Sequence, residues 1–281
     1  MDIASLLRSA GPLIERALSE DIGTGDRTTE SIVPPDATAR CILVAKAAGV
    51  IAGLPVAEVV FRQLNGDISM VPYVQDGEPV EAGQAVAQVQ GPARPIFTAE
   101  RTALNFLGRL SGIATLTAQF VDAVTNHQAV ILDTRKTTPG WRELEKYAVR
   151  CGGGRNHRMG LHDMVLIKDN HIAAAGGLGE AVRRVRAAGH QLPLQVEVSS
   201  LAELRAALEL GVERLLLDNM DLATLRRAVH RAGGRAFLEA SGGVSLQRAA
   251  EIAATGVDAI SVGALTHSAP ALDLSLELSA P

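Results

Sequence analysis

Aromatic side chains are scarce in this chain: Phe, Tyr and Trp together make up 3% of it. A core with so few rings must be aliphatic, which suits buried parallel strands of Val, Ile and Leu. Cysteine is nearly absent. Cys41 and Cys151 are too few for a disulfide framework and have no metal-binding spacing. Cys151, beside a run of glycines, reads as a small buried residue before it reads as a reactive thiol. No uninterrupted apolar run reaches the ~18 residues of a membrane helix. The N-terminal stretch carries acids early and reads as an amphipathic helix, not a signal peptide, so a cytoplasmic protein is expected. The formal net charge is only -4, and no basic stripe extends beyond one segment, which argues against nucleic acid as a partner.

What is present is an ordinary globular composition, 47% hydrophobic and 21% charged over 281 residues. That length suits one large or two modest domains. Up to about residue 110, helices mix with short strands. Between Ala39 and Gly91, turn signals at Asn65-Gly66, Asp76-Gly77 and Ala82-Gly83 predict antiparallel β structure. Thr98–His127 has helical apolar spacing and reads as one long helix or a helix pair, with Gly108 and Gly112 as candidate breaks. From Val130 onward a βα rhythm takes over: AVILD, MVLIKD, LQVEV, RLLLD, AFLEA and AISVG alternate with helical segments such as SLAELRAALELG. Strands alternating with such helices imply a parallel sheet. The expected strand ends are Asp133, Lys168, Glu197, Asp218, Glu239 and Gly263, five of the six at or next to a charge. In a βα barrel that end carries the active site.

Asp133–His171 holds eight Lys/Arg and three His against five Asp/Glu, in a chain that is acidic as a whole. Cations gathered around a Gly-rich segment suit an anion. Arg135 and Arg158 offer two-pronged donors, Lys136 and Lys168 movable point charges. The competing reading is a solvated basic loop, which leaves TTPG, GGG and VLIKD unexplained. Ser241, Gly242 and Gly243 follow one strand and Gly263-Ala264 the next, so two successive Gly-rich loops form a phosphate cradle of the barrel type, or else tight packing turns. Glu197 and Asp218 end consecutive strands. Such a pair can grip ribose hydroxyls, directly or through Mg²⁺, or form salt bridges to Lys168 or Arg135. Asp169, Asn170 and His171 read as a loop and helix cap.

EDIGTGDRTTE (Glu20–Glu30), ERTALNFLGRLSGIAT (Glu100–Thr115), DTRKTTPG (Asp133–Gly140) and GGGRNHRMGLHDMVLIKDNHI (Gly152–Ile172) run through the chain in order. VEV, LLLDNM, EASGGV and SVGALTHS follow. This set resembles the quinolinate phosphoribosyltransferases. The resemblance implies an N-terminal α/β sandwich domain over 1–112, an open, incomplete parallel α/β barrel over 113–267, and a tail, 268–281, packed back on the first domain. It implies transfer of phosphoribosyl from phosphoribosyl pyrophosphate to quinolinate with loss of CO2, in NAD synthesis. Quinolinate would be held by Arg135, His157 and Arg158, and by Arg101 supplied from the partner of a homodimer, with higher assembly open. On sequence alone Arg101 is equally a helix surface residue. Lys136, Lys168, Glu197 and Asp218 would be the catalytic set, the two acids holding Mg²⁺ directly or through water. Ser241, Gly242, Gly243, Gly263 and Ala264 would hold the 5′-phosphate, and His267 would lie beside pyrophosphate. Trp141 departs from the smaller residue expected after TTPG.

The rival readings are a molybdenum-transport-associated paralogue of the same fold, a nicotinate phosphoribosyltransferase, another βα-barrel synthase and a non-catalytic anion-binding protein. Intact KDNH and NHR favour the quinolinate enzyme. A monocarboxylate needs fewer cations than are gathered here, and an anion binder needs no Mg²⁺-suited carboxylates at strand ends.

Overall fold

The computed structural model describes residues 3–279. In chain order the elements run α1 (Ile3–Ile22), α2 (Arg27–Ile32), β1 (Thr38–Ala45), β2 (Gly49–Val50), α3 (Leu54–Leu64), β3 (Ser69–Pro72), β4 (Pro79–Val80), β5 (Ala85–Pro92) and α4 (Ala93–Ala123). Then follow β6 (Val130–Leu132), α5 (Arg142–Cys151), β7 (Val165–Ile167), α6 (Asp169–Ala175), α7 (Leu178–Ala187), β8 (Leu194–Val198) and α8 (Leu201–Glu209). The last are β9 (Arg214–Asp218), α9 (Leu222–Ala232), β10 (Phe237–Ser241), α10 (Leu246–Ala253), β11 (Ala259–Ser261), α11 (Ala264–His267) and β12 (Leu274–Leu278). The chain divides into two compact units. One comprises residues 1–118, 137–153 and 265–281, the other residues 119–136 and 154–264.

The first unit is built on an antiparallel sheet of order β12-β1-β5-β3. Alternate residues of β1, namely Ala39, Cys41, Leu43 and Ala45, are buried, as a strand with one covered face requires. Helix α1 buries Leu6, Ala10, Ile14 and Leu18, an i, i+4 stripe. Helix α4 is unbroken, so of the long helix and the helix pair that the spacing allowed, the structure has the long helix. Both glycines serve close approach instead. A methyl on Gly108 would stand 2.9 Å from Leu272 O, and one on Gly112 would collide with Pro270 O. Trp141 stacks on Phe106 at 4.7 Å between ring centroids, so the large residue after TTPG fills apolar space in this unit.

The second unit is a six-stranded parallel sheet of order β6-β11-β10-β9-β8-β7. Its central strands are apolar on both faces: Leu215, Leu216 and Leu217 of β9 are all buried. Among the described residues the edge strands β6 and β7 do not pair with each other, so the sheet is the open parallel form expected from the βα rhythm. One expected strand end is misplaced. Glu239 is the third of five residues in β10, not at its exit, and is fully buried.

Candidate active site

Register fixes which side chains share a face. Leu216 pairs with Glu197 on one side and Glu239 on the other, and Asp218 pairs with Ser241 one rung further along. Residues two apart on a strand point the same way, so Gln195 joins Glu197 on that face. Above it opens a cleft of about 590 Å³. Thr134, Arg135 and Lys136 enter the cleft from the segment after β6, His157 and Arg158 from the Gly-rich segment, and Lys168 from the end of β7. Glu197, Asp218, Ser241, Gly242 and Gly243 complete the ten predicted site residues that meet there. Gly263 and Ala264 follow β11, whose Ser261 lines the same cleft. Arg101, exposed on α4, and His267, on α11, belong to the first unit.

Backbone pairing explains how the Gly-rich segment delivers its cations. Arg155 N donates to Ile131 O at 2.8 Å and Asp133 N to Arg155 O at 3.2 Å, so the chain runs briefly beside β6. Asp133 is fully buried. Its carboxylate accepts from Asn156 Nδ2 at 2.6 Å and from His157 N at 2.8 Å, which pins the NHR turn. Arg158 donates through NH1 to Met164 O at 3.0 Å. Burial draws its guanidinium pKa down from the usual value, and the positive charge of Arg135 adds to that. Two guanidinium groups this close together favour a bound anion.

The acidic side is tied to the basic one. Lys168 Nζ donates to Glu197 Oε2 at 2.8 Å, one of the ion pairs the sequence left open. Lys168 is the N-cap of α6, and its backbone N donates to His171 Nδ1 at 3.0 Å, so His171 caps a helix as expected, whereas Asp169 and Asn170 form its first turn instead of a loop. Among the described residues no cluster of three or more His, Cys, Asp or Glu is arranged to hold a metal. Two carboxylates are nevertheless enough for Mg²⁺, which keeps waters and takes phosphate oxygens from a substrate. Glu197 and Asp218 fit that donor set.

Gly242 lines the cleft in the turn after β10. Its φ is +94°, and a methyl there would collide with Asn219 Oδ1. Asn219 itself has φ 54°, the left-handed region that Asn tolerates better than most residues. Its backbone N donates to Ser241 O at 2.9 Å and its Nδ2 to Asp218 Oδ2 at 2.8 Å. Sequence reasoning missed Asn219, although the Asp-Asn pair in LLLDNM was a visible signal. It also missed Gln195, a polar residue inside an otherwise apolar strand.

Cations, two carboxylates and a Gly-Gly turn thus gather at the strand ends of an open parallel βα sheet, where folds of this class place their ligand sites. Residues 113–277 match the quinolinate phosphoribosyl transferase C-terminal domain, and residues 26–111 its N-terminal domain. The chain is 50% identical over 276 residues to nicotinate-nucleotide pyrophosphorylase [carboxylating] of Mycobacterium leprae, covering 96% of this chain and 97% of that protein. It is 46% identical to quinolinate phosphoribosyltransferase [decarboxylating] 2a of Nicotiana tabacum, covering 95% and 81%. The crystal structure of NadC from Streptococcus pyogenes superposes with a TM-score of 0.93 at 38% identity, covering 98% of each chain. The chain belongs to the quinolinate phosphoribosyl transferase family.

Proposed function

We propose that this protein transfers the phosphoribosyl group of phosphoribosyl pyrophosphate to quinolinate, giving nicotinate mononucleotide, pyrophosphate and CO2 in NAD synthesis. The observation that carries this reading is the meeting of Arg135, Arg158, Lys136 and Lys168 with Glu197, Asp218 and the Gly242-Gly243 turn in one cleft. The paired guanidiniums take the two carboxylates of quinolinate, and the glycine turn takes the 5′-phosphate through backbone N–H groups. Mg²⁺, held by Glu197 and Asp218 directly or through water, would neutralise pyrophosphate charge when bound.

The C1′–O bond to pyrophosphate breaks, and the pyridine nitrogen bonds to C1′. Glu197 and Asp218 favour positive charge at the sugar, while Lys136 stabilises the departing diphosphate. CO2 leaves with the electron pair of the C2–carboxylate bond remaining on C2, where the adjacent quaternary nitrogen stabilises it as an ylide, and that pair takes a proton. No protein nucleophile is needed: positioning and electrostatics supply the rate. Lys168 holds Glu197 in place in the free protein and moves to the anionic substrate on binding. Arg101, exposed on α4, is assigned to the site of the partner in a homodimer.

Product formation with phosphoribosyl pyrophosphate and Mg²⁺, offering quinolinate and nicotinate in parallel, tests this. Nicotinate mononucleotide and CO2 from quinolinate alone, lost on chelation of Mg²⁺, is the expected result. Product from nicotinate alone would overturn the dianion assignment. Turnover unaffected by chelator would overturn the Mg²⁺ assignment. No product from either acid with folded protein would transfer the reading to the molybdenum-associated paralogue or an anion binder.

A further inference from the structure

The wall of the cleft contains a buried polar group that the reaction above does not use. Glu239 has no exposed surface, yet it borders the cleft. Its Oε2 accepts from Gln195 Nε2 at 2.9 Å and stands 3.3 Å from His157 Nε2. Its Oε1 is buried with no hydrogen-bond partner among the described residues. Gln195 is equally buried, and its Oε1 stands 3.1 Å from the same His157 nitrogen. Because Gln195 spends its amide N–H on Glu239, its carbonyl oxygen faces the histidine as an acceptor. Two acceptors therefore converge on His157 Nε2.

The other ring nitrogen has the opposite surroundings. His157 Nδ1 lies 2.7 Å from the backbone N of Arg158, a donor. A nitrogen that accepts an N–H cannot carry a proton of its own. The geometry thus places the ring proton on Nε2. The 3.3 Å contact with Glu239 is then a hydrogen bond from Nε2–H to the carboxylate. Both donors, His157 Nε2–H and the Gln195 amide, meet Glu239 Oε2, as suits a carboxylate acceptor. Glu239 borders the same cleft that Arg135 and Arg158 line.

We propose that Glu239, with Gln195, is a positioning residue: it holds His157 as the Nε2–H tautomer, so that Nδ1 anchors the Arg158 backbone under the acid-binding guanidinium. His157 on this account acts from beneath Arg158 instead of presenting positive charge to the substrate. The same logic governs histidines oriented by a carboxylate at metal sites, where the partner of one ring nitrogen decides the role of the other. The inference rests on the reading of Arg158 as a ligand of the acid substrate, but the tautomer itself can be measured without substrate.

The first experiment is ¹⁵N–¹H long-range correlation of histidine-labelled, ligand-free protein near neutral pH, with His157 assigned by its loss in His157→Gln. A protonated Nε2 and a bare Nδ1 are expected. An Nδ1–H tautomer or an imidazolium would overturn the proposal whatever the enzyme does. The second is Glu239→Gln, whose carboxamide can donate as well as accept and so releases the lock. A mixed tautomer signal is expected, with KM for quinolinate raised about tenfold, one hydrogen bond's worth, and KM for phosphoribosyl pyrophosphate within about twofold of wild type. An unchanged tautomer and quinolinate KM in this variant would also overturn it. Should the variant not fold, the wild-type spectrum still decides. An Nε2–H wild-type signal in a protein that does not use quinolinate would leave the tautomer standing and remove the function instead.

Discussion

Replacing Gly242 by alanine tests the phosphate cradle against a control one residue away. At Gly242 the backbone has φ +94°, where an L side chain costs about 1–3 kcal/mol. The new methyl would also collide with Asn219 Oδ1 and come within 3.0 Å of Asn219 N. That second atom is backbone, so rotation of the side chain cannot relieve it. Relief requires Asn219 to move, which strains its bonds to Ser241 O and Asp218 Oδ2. Losing both costs roughly 1–3 kcal/mol more. Gly243 has φ +57°, and a methyl added there would meet nothing within 4 Å, so alanine carries only the left-handed penalty of about 1–2 kcal/mol. Urea unfolding of the ligand-free proteins should therefore place Gly242→Ala about 2 kcal/mol below Gly243→Ala. Because Asp218 is displaced with Asn219, KM for phosphoribosyl pyrophosphate in Gly242→Ala should rise at least about tenfold, a loss of about 1.4 kcal/mol. Equal stabilities for the two variants, or a wild-type KM in Gly242→Ala, would refute the argument that Asn219 links the turn to the carboxylate.

Three further outcomes follow from the same geometry. Lys136→Ala and Glu197→Ala should each lose at least ~100-fold in kcat/KM, with circular dichroism and melting like wild type, because each removes a charge-assisted contact; near-normal turnover in either folded variant would remove its role. Both cysteines should resist alkylation at about pH 8 until the protein is denatured: burial pushes the Cys151 thiol up to about 12, with the Asp76 carboxylate adding to it, and burial raises Cys41 as well. Rapid labelling of native Cys151 would contradict this. Glu239 is held below its usual pKa, so its contribution to stability is present above about 4.5, the ordinary glutamate value, and is lost as pH falls through its lower folded value. Wild type and Glu239→Gln should thus differ in melting temperature near neutral pH and converge in strong acid; a constant gap down to about pH 2 would contradict the assignment.

The parallel sheet was legible because buried strands such as LLL at 215–217 and the intervening amphipathic helices have different periods, and nothing else in the chain mimics that alternation. The cations and the Gly-Gly turn were legible because a folded acidic chain has few other reasons to concentrate them. The failures share one cause: local signals were read without their partners. Gly108 and Gly112 signal a helix break in isolation, and only the backbone of residues 270–272 reveals that they are contact points. Glu239 marks a strand exit if charge is assumed to seek water, and only Gln195 and His157 explain a carboxylate in the middle of β10. Asn219 carries its left-handed backbone in a residue type common in any loop. Trp141 departs from expectation in size, and Phe106 accounts for it.

The interleaving of the two units has a consequence for synthesis. The chain passes from one to the other after residues 118, 136, 153 and 264. All six strands of the parallel sheet have been made by Ser261, whereas the antiparallel sheet lacks its edge strand until Leu274–Leu278 pairs with β1. A ribosome delivers residues in order, and domains usually form as they emerge. Here the unit whose first strand is made early is the one that closes last, so the edge of β1 that β12 covers stays unpaired while residues 46–273 are made, an exposed strand edge open to wrong partners for that interval.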